Sequence, residues 1–223
     1  IDRVHNELIL HEKIKFPLEK YKSNIKKIKV LDHNLFKKLY GSEQSTQGIV
    51  LKTEDFERPS LEELIINEKK QAKSVIIVLD QITDPQNIGS IMRSCALFDC
   101  KAIVVAKDNS PDLTPSLLKA ASGAAEKVNY FKVTNLRRSL LNFKNNGYWI
   151  YGFDSNGKEN QNINFEKNSV FVFGSESRGI RNLIKKECDI FIKLKMKDLS
   201  DYQIDSLNVS NASSIALYEF YKN

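Results

Sequence analysis

The hydrophobic positions of this chain change their pattern near residue 75. From there on, short apolar runs alternate with segments whose apolar residues recur every three or four positions. Uninterrupted apolar runs of about five residues are typical of strands buried on both faces of a parallel sheet, whereas the three-to-four spacing is typical of amphipathic helices. The alternation therefore predicts an α/β domain with a parallel sheet and right-handed crossovers.

Five strands are predicted in this domain, together with helices between them. The predicted strands are VIIVL (75–79), AIVVA (102–106), NYFKV (129–133), YWIYGF (148–153) and SVFVF (169–173). Helices are predicted over 87–98, from Pro115 with Thr114 as its cap, and over 135–143. The segment DSNGKENQNINF (154–165) is rich in turn residues and predicts a loop.

A smaller unit precedes this domain. IKKIKVLD, LFKKLY and GIVL predict a strand, a helix and a strand, which is a mixed α/β pattern. We therefore expect a small domain at 1–51, a linker at 52–73 and the main domain at 74–223. Ser60 and Glu63 predict a capping box that opens a short helix inside the linker. The chain begins without methionine and its first unit is short, so we expect further residues before it.

Composition and charge narrow the class of protein. The chain is 41% hydrophobic, has no apolar run of membrane-spanning length and opens without a secretory segment, which favours a cytoplasmic protein with no membrane contact. The spacing of Cys95, Cys100 and Cys188 suits neither a metal site nor a disulfide framework. The net charge is +6, and 20–38 holds seven lysines against the single acid Asp32. This bias favours a polyanion such as RNA, the alternative being a solvated lysine-rich surface.

The positions of the histidines exclude several kinds of chemistry. All three lie within the first 33 residues. Ser-His-Asp catalysis, histidine-ligated zinc and histidine acid–base chemistry are therefore not expected in the main domain, and we predict no metal site there.

The first of three polar stretches that follow predicted strands is LDQITDPQNIGSIMRS (79–94). Parallel sheets bind ligands at the carboxyl ends of their strands, so such stretches are candidates for the site. This one lacks the glycines of a Rossmann or P-loop phosphate site. Asp84 and Pro85 predict a turn and Asn87 the start of a helix. Arg93 is either a solvent-edge residue of that helix or a charge held near a site.

The second stretch is GSESRG (174–179). Gly174 and Gly179 allow the backbone to adopt positive φ and to approach a ligand closely. Glu176 would repel a phosphate, and it suits a hydroxyl, an amine or a positively charged ligand. The alternative is an ordinary strand–turn–helix connection in which Glu176 caps the next helix.

The third stretch is DSLNVSNASSIALYEF (205–220). Ser206, Asn208, Ser210 and Asn211 lie together where a helix is predicted to begin. One capping residue would suffice there, so we expect some of these side chains to serve a ligand. Capping alone is the alternative.

Together the stretches resemble the motifs of a known family. DPQNIGSIMR, GSESRG and SLNVSNASSIALYE, with LLKAASGAAE and VTNL between them, resemble the SpoU-type (TrmH/RlmB-like) RNA 2′-O-ribose methyltransferases of the SPOUT superfamily. The resemblance extends from about Val75 to Asn223. In addition, TQGIV (46–50) is similar to the end of the small, L30e-like substrate-binding domain of the subgroup that modifies a guanosine in large-subunit ribosomal RNA.

The resemblance implies a parallel-sheet SPOUT fold with a C-terminal trefoil knot, S-adenosylmethionine as methyl donor and RNA as substrate. It also implies a homodimer whose RNA site is composed from both subunits. By motif, Gly174, Leu194, Met196 and Leu207 are expected to bind the cofactor. The expected polar catalytic cluster consists of Asn87, Arg93, Glu176, Ser206 and Asn208.

The implied activity is 2′-O-methylation of a guanosine in large-subunit (23S) ribosomal RNA. The alternatives are a transfer-RNA 2′-O-methyltransferase and a catalytically impaired RNA-binding factor of ribosome assembly. Two features depart from the family pattern. Leu194-Lys195-Met196 stands where the family usually has Ile-Pro-Met, and the segment between Met196 and Ser206 is longer than usual. Loss of the proline is expected to loosen a cofactor-binding loop.

Overall fold

The chain forms two compact units, Ile1–Arg58 and Pro59–Asn223. The computed structural model describes residues 4–41, 46–54, 57–159, 164–197 and 206–222. The division falls inside the segment 52–73 that was predicted as a linker, and each unit has its own sheet.

The first unit contains a three-stranded sheet in the order β2–β1–β3. Its elements are β1 (His5–His11), β2 (Ile28–Leu31), α1 (His33–Tyr40) and β3 (Ile49–Thr53). β1 is parallel to β2 and antiparallel to β3. The predicted strand, helix and strand are present, but central β1 was missed because polar residues flank its short apolar run. Its core consists of Leu8, Ile9, Leu10 and Phe36.

The second unit contains six parallel strands in the order β6–β5–β4–β8–β7–β9. The strands are β4 (Ser74–Asp80), β5 (Ala102–Ala106), β6 (Asn129–Val133), β7 (Trp149–Glu159), β8 (Asn168–Gly174) and β9 (Ile190–Lys193). The helices are α2 (Leu61–Glu68), α3 (Pro85–Leu97), α4 (Pro115–Ala121), α5 (Leu136–Asn145), α6 (Asn182–Lys185) and α7 (Val209–Lys222). All five predicted strands are present. The four-residue β9 was not predicted.

Strand β4 shows why its pattern is continuous rather than alternating. Every residue of Ser74–Asp80 is buried, because helices cover both faces of the sheet. Val75, Ile77 and Leu79 pack with apolar side chains of α3, α4 and α7. Ile76 and Val78 pack with those of α2, α5 and α6. The result is a three-layer α/β unit.

Helix α2 lies in the predicted linker but packs into this core. Ser60 and Glu63 form the predicted capping box, with backbone-to-side-chain distances of 2.8 and 3.2 Å. Leu61, Leu64 and Ile65 are buried in the cluster that covers one face of the sheet. The helix therefore belongs structurally to the second unit.

Strand β7 extends six residues beyond the predicted Phe153. The loop predicted over 154–165 is therefore wrong for 154–159, which continue the strand. β7 pairs with β9 across a register shift between Phe153 and Lys158. At Gly157 an added Cβ would lie 2.6 Å from the carbonyl carbon of Ile192, so the two strands approach as closely as only glycine permits. Pairing with β9 overrides the turn-forming sequence.

The trefoil knot and the L30e likeness stay predictions. The segment that looked longer than usual, 197–205, lies outside the described residues except for Lys197. Within the described part of the chain, no helix has the length and hydropathy to cross a bilayer. Cys95 and Cys100 are buried, and burial raises the pKa of Cys95 and that of Cys188, the latter to about 12. Both thiols are thus held in their neutral form.

Candidate active site

The first two polar stretches begin side by side at one edge of the sheet. Strands β4 and β8 are paired along their whole length, and their last residues, Asp80 and Gly174, are register partners. The segments that follow these residues therefore leave the sheet together, at the carboxyl ends of its central strands.

The loop 174–179, which follows β8, closes on itself. Ser175 and Gly179 form an isolated antiparallel bridge, in which the Gly179 N–H donates to the Ser175 carbonyl at 2.7 Å. Gly179 has φ of 64°, as predicted, but Gly174 does not adopt positive φ. Gly174 is needed for another reason: an added Cβ would lie 2.1 Å from the carbonyl carbon of Gly179. The missing side chain lets the loop close.

A buried carboxylate fixes the far end of this loop. Asp80 is completely buried, and its two oxygens accept the Arg181 backbone N–H and Nε, each at 2.8 Å. Nη2 of Arg181 lies 2.7 Å from Oδ1 of Asp80. This pair was not predicted from the sequence. Its one signal was an acid at the end of an otherwise apolar strand.

Asn208 joins all three polar stretches. Its Nδ2 donates to Oε1 of Glu176 at 2.9 Å and to Oδ1 of Asn87 at 3.0 Å. Its Oδ1 accepts from the backbone N–H of Ser210 at 2.9 Å, which caps α7. Capping thus holds for this side chain, because its oxygen caps the helix, and its amide joins the other two stretches.

Glu176 interacts with the last helix rather than the next one. Besides the Asn208 amide, its Oε1 lies 3.4 Å from the backbone nitrogen of Val209, the first residue of α7. The alternative prediction, that Glu176 caps the helix immediately following, is wrong, since that helix is α6. The carboxylate instead joins GSESRG to the C-terminal motif.

Helix α3 positions Asn87. The helix begins at Pro85, two residues before the predicted start, because the Asp84 carboxylate accepts from the backbone N–H groups of Gln86 and Asn87 at 3.0 and 3.2 Å. At Gly89 an added Cβ would lie 2.5 Å from the Cβ of Ala120 in α4. Close packing of the two helices holds Asn87 at the edge of the cluster.

A cavity of about 320 Å³ lies against the loop 174–179. Its lining includes all four predicted cofactor-binding residues, Gly174, Leu194, Met196 and Leu207. The predicted catalytic residues Glu176 and Ser206 also line it. Ligand pockets typically measure about 300–1,000 Å³, so this volume suits a small organic molecule.

The remaining predicted catalytic residues lie outside that lining. Asn87 and Asn208 are not among the lining residues. Asn208 lies beside the cavity because it binds Glu176, and Asn87 is held there through its bond to Asn208. Arg93 also does not line it; its side chain is exposed on α3. Within one chain the structure therefore brings together Asn87, Glu176 and Asn208, and it leaves Arg93 apart.

The cavity combines an apolar wall with a buried charge pair. The rings of Phe153 and Phe173 stack with centroids 4.6 Å apart and planes 13° apart. Oδ2 of Asp154, a nearly buried side chain, lies 2.7 Å from Nζ of Lys185. Sequence reasoning missed this pair because Asp154 was assigned to a loop. Among the described residues, no group of histidine, cysteine, aspartate and glutamate could hold a metal ion.

Sequence comparisons identify a family. The model of the SpoU rRNA methylase family matches residues 74–218. YacO of Bacillus subtilis (strain 168), which is assigned to the TrmH family of tRNA/rRNA methyltransferases, is 35% identical over 178 residues, covering 79% of this chain and 70% of that protein. A Staphylococcus epidermidis protein with the same assignment is 33% identical over the same shares of both chains.

Solved structures support the fold. The SpoU methyltransferase AviRb of Streptomyces viridochromogenes superposes with a TM-score of 0.78 at 18% identity, covering 98% of this chain and 81% of that chain. The AdoMet-bound rRNA methyltransferase of Sinorhizobium meliloti superposes with a TM-score of 0.74 at 16% identity, covering 98% and 80%. These likenesses confirm the predicted α/β parallel-sheet fold class.

Proposed function

The chain belongs to the SpoU rRNA methylase family of RNA methyltransferases, and we propose that it methylates the ribose 2′-hydroxyl of a guanosine in large-subunit ribosomal RNA. S-adenosylmethionine is the proposed methyl donor. One observation carries the proposal. The Asn208 amide joins the three polar stretches beside a cavity that all four expected cofactor residues line.

The residues of the cavity fit S-adenosylmethionine. When bound, this cofactor supplies a methyl group on a positively charged sulfur. The apolar wall formed by Phe153, Phe173 and Leu207 suits an adenine ring. The Glu176 carboxylate suits ribose hydroxyls, an amine and positive charge. Asp154 is paired with Lys185, and the cations Arg178 and Lys193 also line the cavity. Relatives described as AdoMet complexes agree with this assignment.

The chain must also position the hydroxyl and help remove its proton. We assign orientation of the RNA 2′-hydroxyl to Asn208 and Ser206. Glu176 either holds Asn208 in place or passes the proton of the hydroxyl to water. A guanidinium stays protonated above pH 12, so Arg93 is a poor base. Its proposed role is to stabilise the developing alkoxide and to clamp the adjacent phosphate.

A second copy of the chain would bring Arg93 to the reaction. Arg93 lies on the exposed side of α3, and the sides of α3 and α7 that face solvent also expose Leu97, Tyr218 and Tyr221, with Leu97 73% exposed. Oγ of Ser94 on α3 lies 2.6 Å from an α7 hydroxyl, so the two helices form one surface. We infer that this surface forms a homodimer in which Arg93 of each subunit serves the other subunit's cavity.

The choice of ribosomal over transfer RNA rests on the first unit. A separate α/β unit with a lysine-rich segment suits a large, structured RNA better than a minimal catalytic domain would. Part of that charge is paired, since Lys29 of the segment lies 2.7 Å from Glu7, which also binds Lys52 at 3.2 Å. Hydrogen bonds from these lysines lower the pKa of Glu7.

Methylation of purified RNAs tests the proposal. The protein is incubated with radiolabelled S-adenosylmethionine and either unmodified 23S ribosomal RNA or unmodified transfer RNA, and the products are digested to nucleosides. We expect 2′-O-methylguanosine from the ribosomal RNA. Label in transfer RNA alone would favour a transfer-RNA 2′-O-methyltransferase. RNA binding with no label in either RNA would favour an assembly factor.

A further inference from the structure

A second cavity, of about 750 Å³, lies on the other side of the loop 174–179. It opens beyond the carboxyl ends of β4, β5 and β6, and no role assigned above uses it. Ser175, Ser177 and Arg178 line both cavities. The loop is therefore a common wall between the cofactor cavity and this larger one.

The larger cavity is rich in uncharged hydrogen-bonding side chains. These are Gln81, Thr83, Asn109, Thr134 and Asn135. Gln81 and Asn109 have φ of 61° and 66°. The left-handed region costs a residue other than glycine about 1–2 kcal/mol, and such residues cluster at functional sites. Amide groups offer both donors and acceptors, which suits the edge of a nucleic-acid base.

The charged groups of the cavity present mainly guanidinium to solvent. The side chains of Arg137 and Arg181 are 53% and 46% exposed, whereas their partners Glu187 and Asp80 are 8% and 0% exposed. The carboxylates thus lie behind the arginines. Asp108 is the one acid among the described residues that line the cavity.

Arg178 adds an exposed cation to the wall that the two cavities share. Its backbone N–H lies 3.3 Å from Oγ of Ser175, and its exposed guanidinium forms no ion pair with any residue that the structure describes. It stands on the common wall, where an RNA strand passing from one cavity to the other would cross. An unpaired arginine in such a place suits a phosphate.

We propose that the larger cavity binds a nucleotide of the RNA substrate next to the nucleotide whose ribose is methylated. Arg178 and Arg137 contact the phosphates, and the amides of Asn109 and Gln81 contact the base. The volume suits a whole nucleotide better than a lone phosphate, and proteins commonly read unpaired RNA bases in this way. This inference rests on the proposed function and adds a binding site to it.

Arginine substitutions test the phosphate contact. For R178A we expect RNA affinity to fall about tenfold, with the slope of log K against log salt reduced by about one. The matched control is R138A, because Arg138 is an exposed neighbour of Arg137 on α5 and lines neither cavity. Affinity is measured by fluorescence anisotropy with a labelled fragment of 23S ribosomal RNA at several salt concentrations. The control should change affinity less than about twofold.

A second variant tests the base contact. N109G keeps a backbone that tolerates positive φ and removes the amide. We expect KM for RNA to rise about tenfold, consistent with loss of one or two hydrogen bonds, while kcat and S-adenosylmethionine affinity stay unchanged.

The outcomes separate this inference from the proposed function. The proposed nucleotide site would be contradicted if R178A kept the wild-type RNA affinity and salt slope and N109G kept the wild-type KM. This holds even if the enzyme methylates RNA. Loss of S-adenosylmethionine binding in R178A with normal RNA binding would also overturn it, because Arg178 would then act in the smaller cavity. If the wild-type protein methylates no RNA, the proposed function fails, while the anisotropy result still decides whether this cavity binds RNA.

Discussion

The two cavities on either side of the loop 174–179 differ in size, chemistry and the way their side chains are held. The smaller, of about 320 Å³, has an aromatic wall, and beside it Asn208 donates hydrogen bonds to Glu176 and Asn87. The larger, of about 750 Å³, is lined by amides, hydroxyls and half-exposed arginines. The first suits a small organic molecule and the second a polyanion. The comparison suggests that one loop aligns a methyl donor with an RNA strand.

Replacing Gly174 should have the largest effect of the variants considered, because both cavities depend on closure of the loop 174–179. In G174A the new Cβ would lie 2.1 Å from a backbone carbon, so the loop must open. We expect no saturable S-adenosylmethionine binding by calorimetry and a loss of at least about 1–3 kcal/mol in the free energy of unfolding.

The control for this variant is G147A. Gly147 has φ of 83°, and an added Cβ there would meet no atom within 4 Å, so only backbone strain of about 1 kcal/mol is expected. Wild-type cofactor affinity in G174A would contradict the role given to the loop.

Replacing Arg93 should separate chemistry from cofactor binding. Since Arg93 does not line the smaller cavity, R93A should bind S-adenosylmethionine normally. Turnover should fall about 10²–10³-fold, which is typical when a group that stabilises developing negative charge is lost. Single-turnover methylation with R138A as the control measures this. A near-normal rate in R93A would defeat the assignment.

Removing the charge of Asp80 should loosen the loop 174–179, with a smaller effect than G174A. D80N keeps the shape but loses the charge-assisted bonds to Arg181, so we expect about 1–3 kcal/mol lower stability in urea unfolding and weaker cofactor binding. E187Q is the matched control, because Glu187 is also a buried acid that pairs with an arginine of the larger cavity. Equal effects of both variants on cofactor affinity would show that the bonds of Asp80 to Arg181 do not position the loop 174–179.

The fold could be predicted largely from local pattern. The five strands of the second unit were predicted because burial on both faces leaves an uninterrupted apolar run, as in β4. Strand β9 (Ile190–Lys193) was missed because it is short and partly exposed, so no pattern distinguishes it. The extension of β7 beyond Phe153 was missed because its turn-forming residues are held by pairing with β9, which is a tertiary effect.

The site was predictable where its residues fall into contiguous motifs. Asn87, Glu176 and Asn208 were expected to cluster, and hydrogen bonds join them. The pairing of Asp80 with Arg181 spans 101 positions of sequence, and neither partner belongs to a motif of the family, although Asp80 lies in the stretch 79–94. Contacts of this kind depend on which strand ends the sheet brings together. They become visible only once its topology is known.

The smallest expected effect concerns the departure from the family's Ile-Pro-Met. Lys195 is exposed between Leu194 and Met196, both of which line the smaller cavity. K195P should tighten S-adenosylmethionine binding about two- to fivefold by restricting the free loop, equivalent to about 0.4–1 kcal/mol. K195A separates this effect from loss of charge. Weaker binding in K195P than in K195A would show that the loop here has a backbone conformation that proline cannot adopt.

Calorimetric titration of the wild-type protein with S-adenosylmethionine decides whether the cavity beside Glu176 binds this cofactor. We expect saturable binding at one site per chain, retained in R93A and absent in G174A. No heat of binding at millimolar cofactor, with the protein folded, would contradict it.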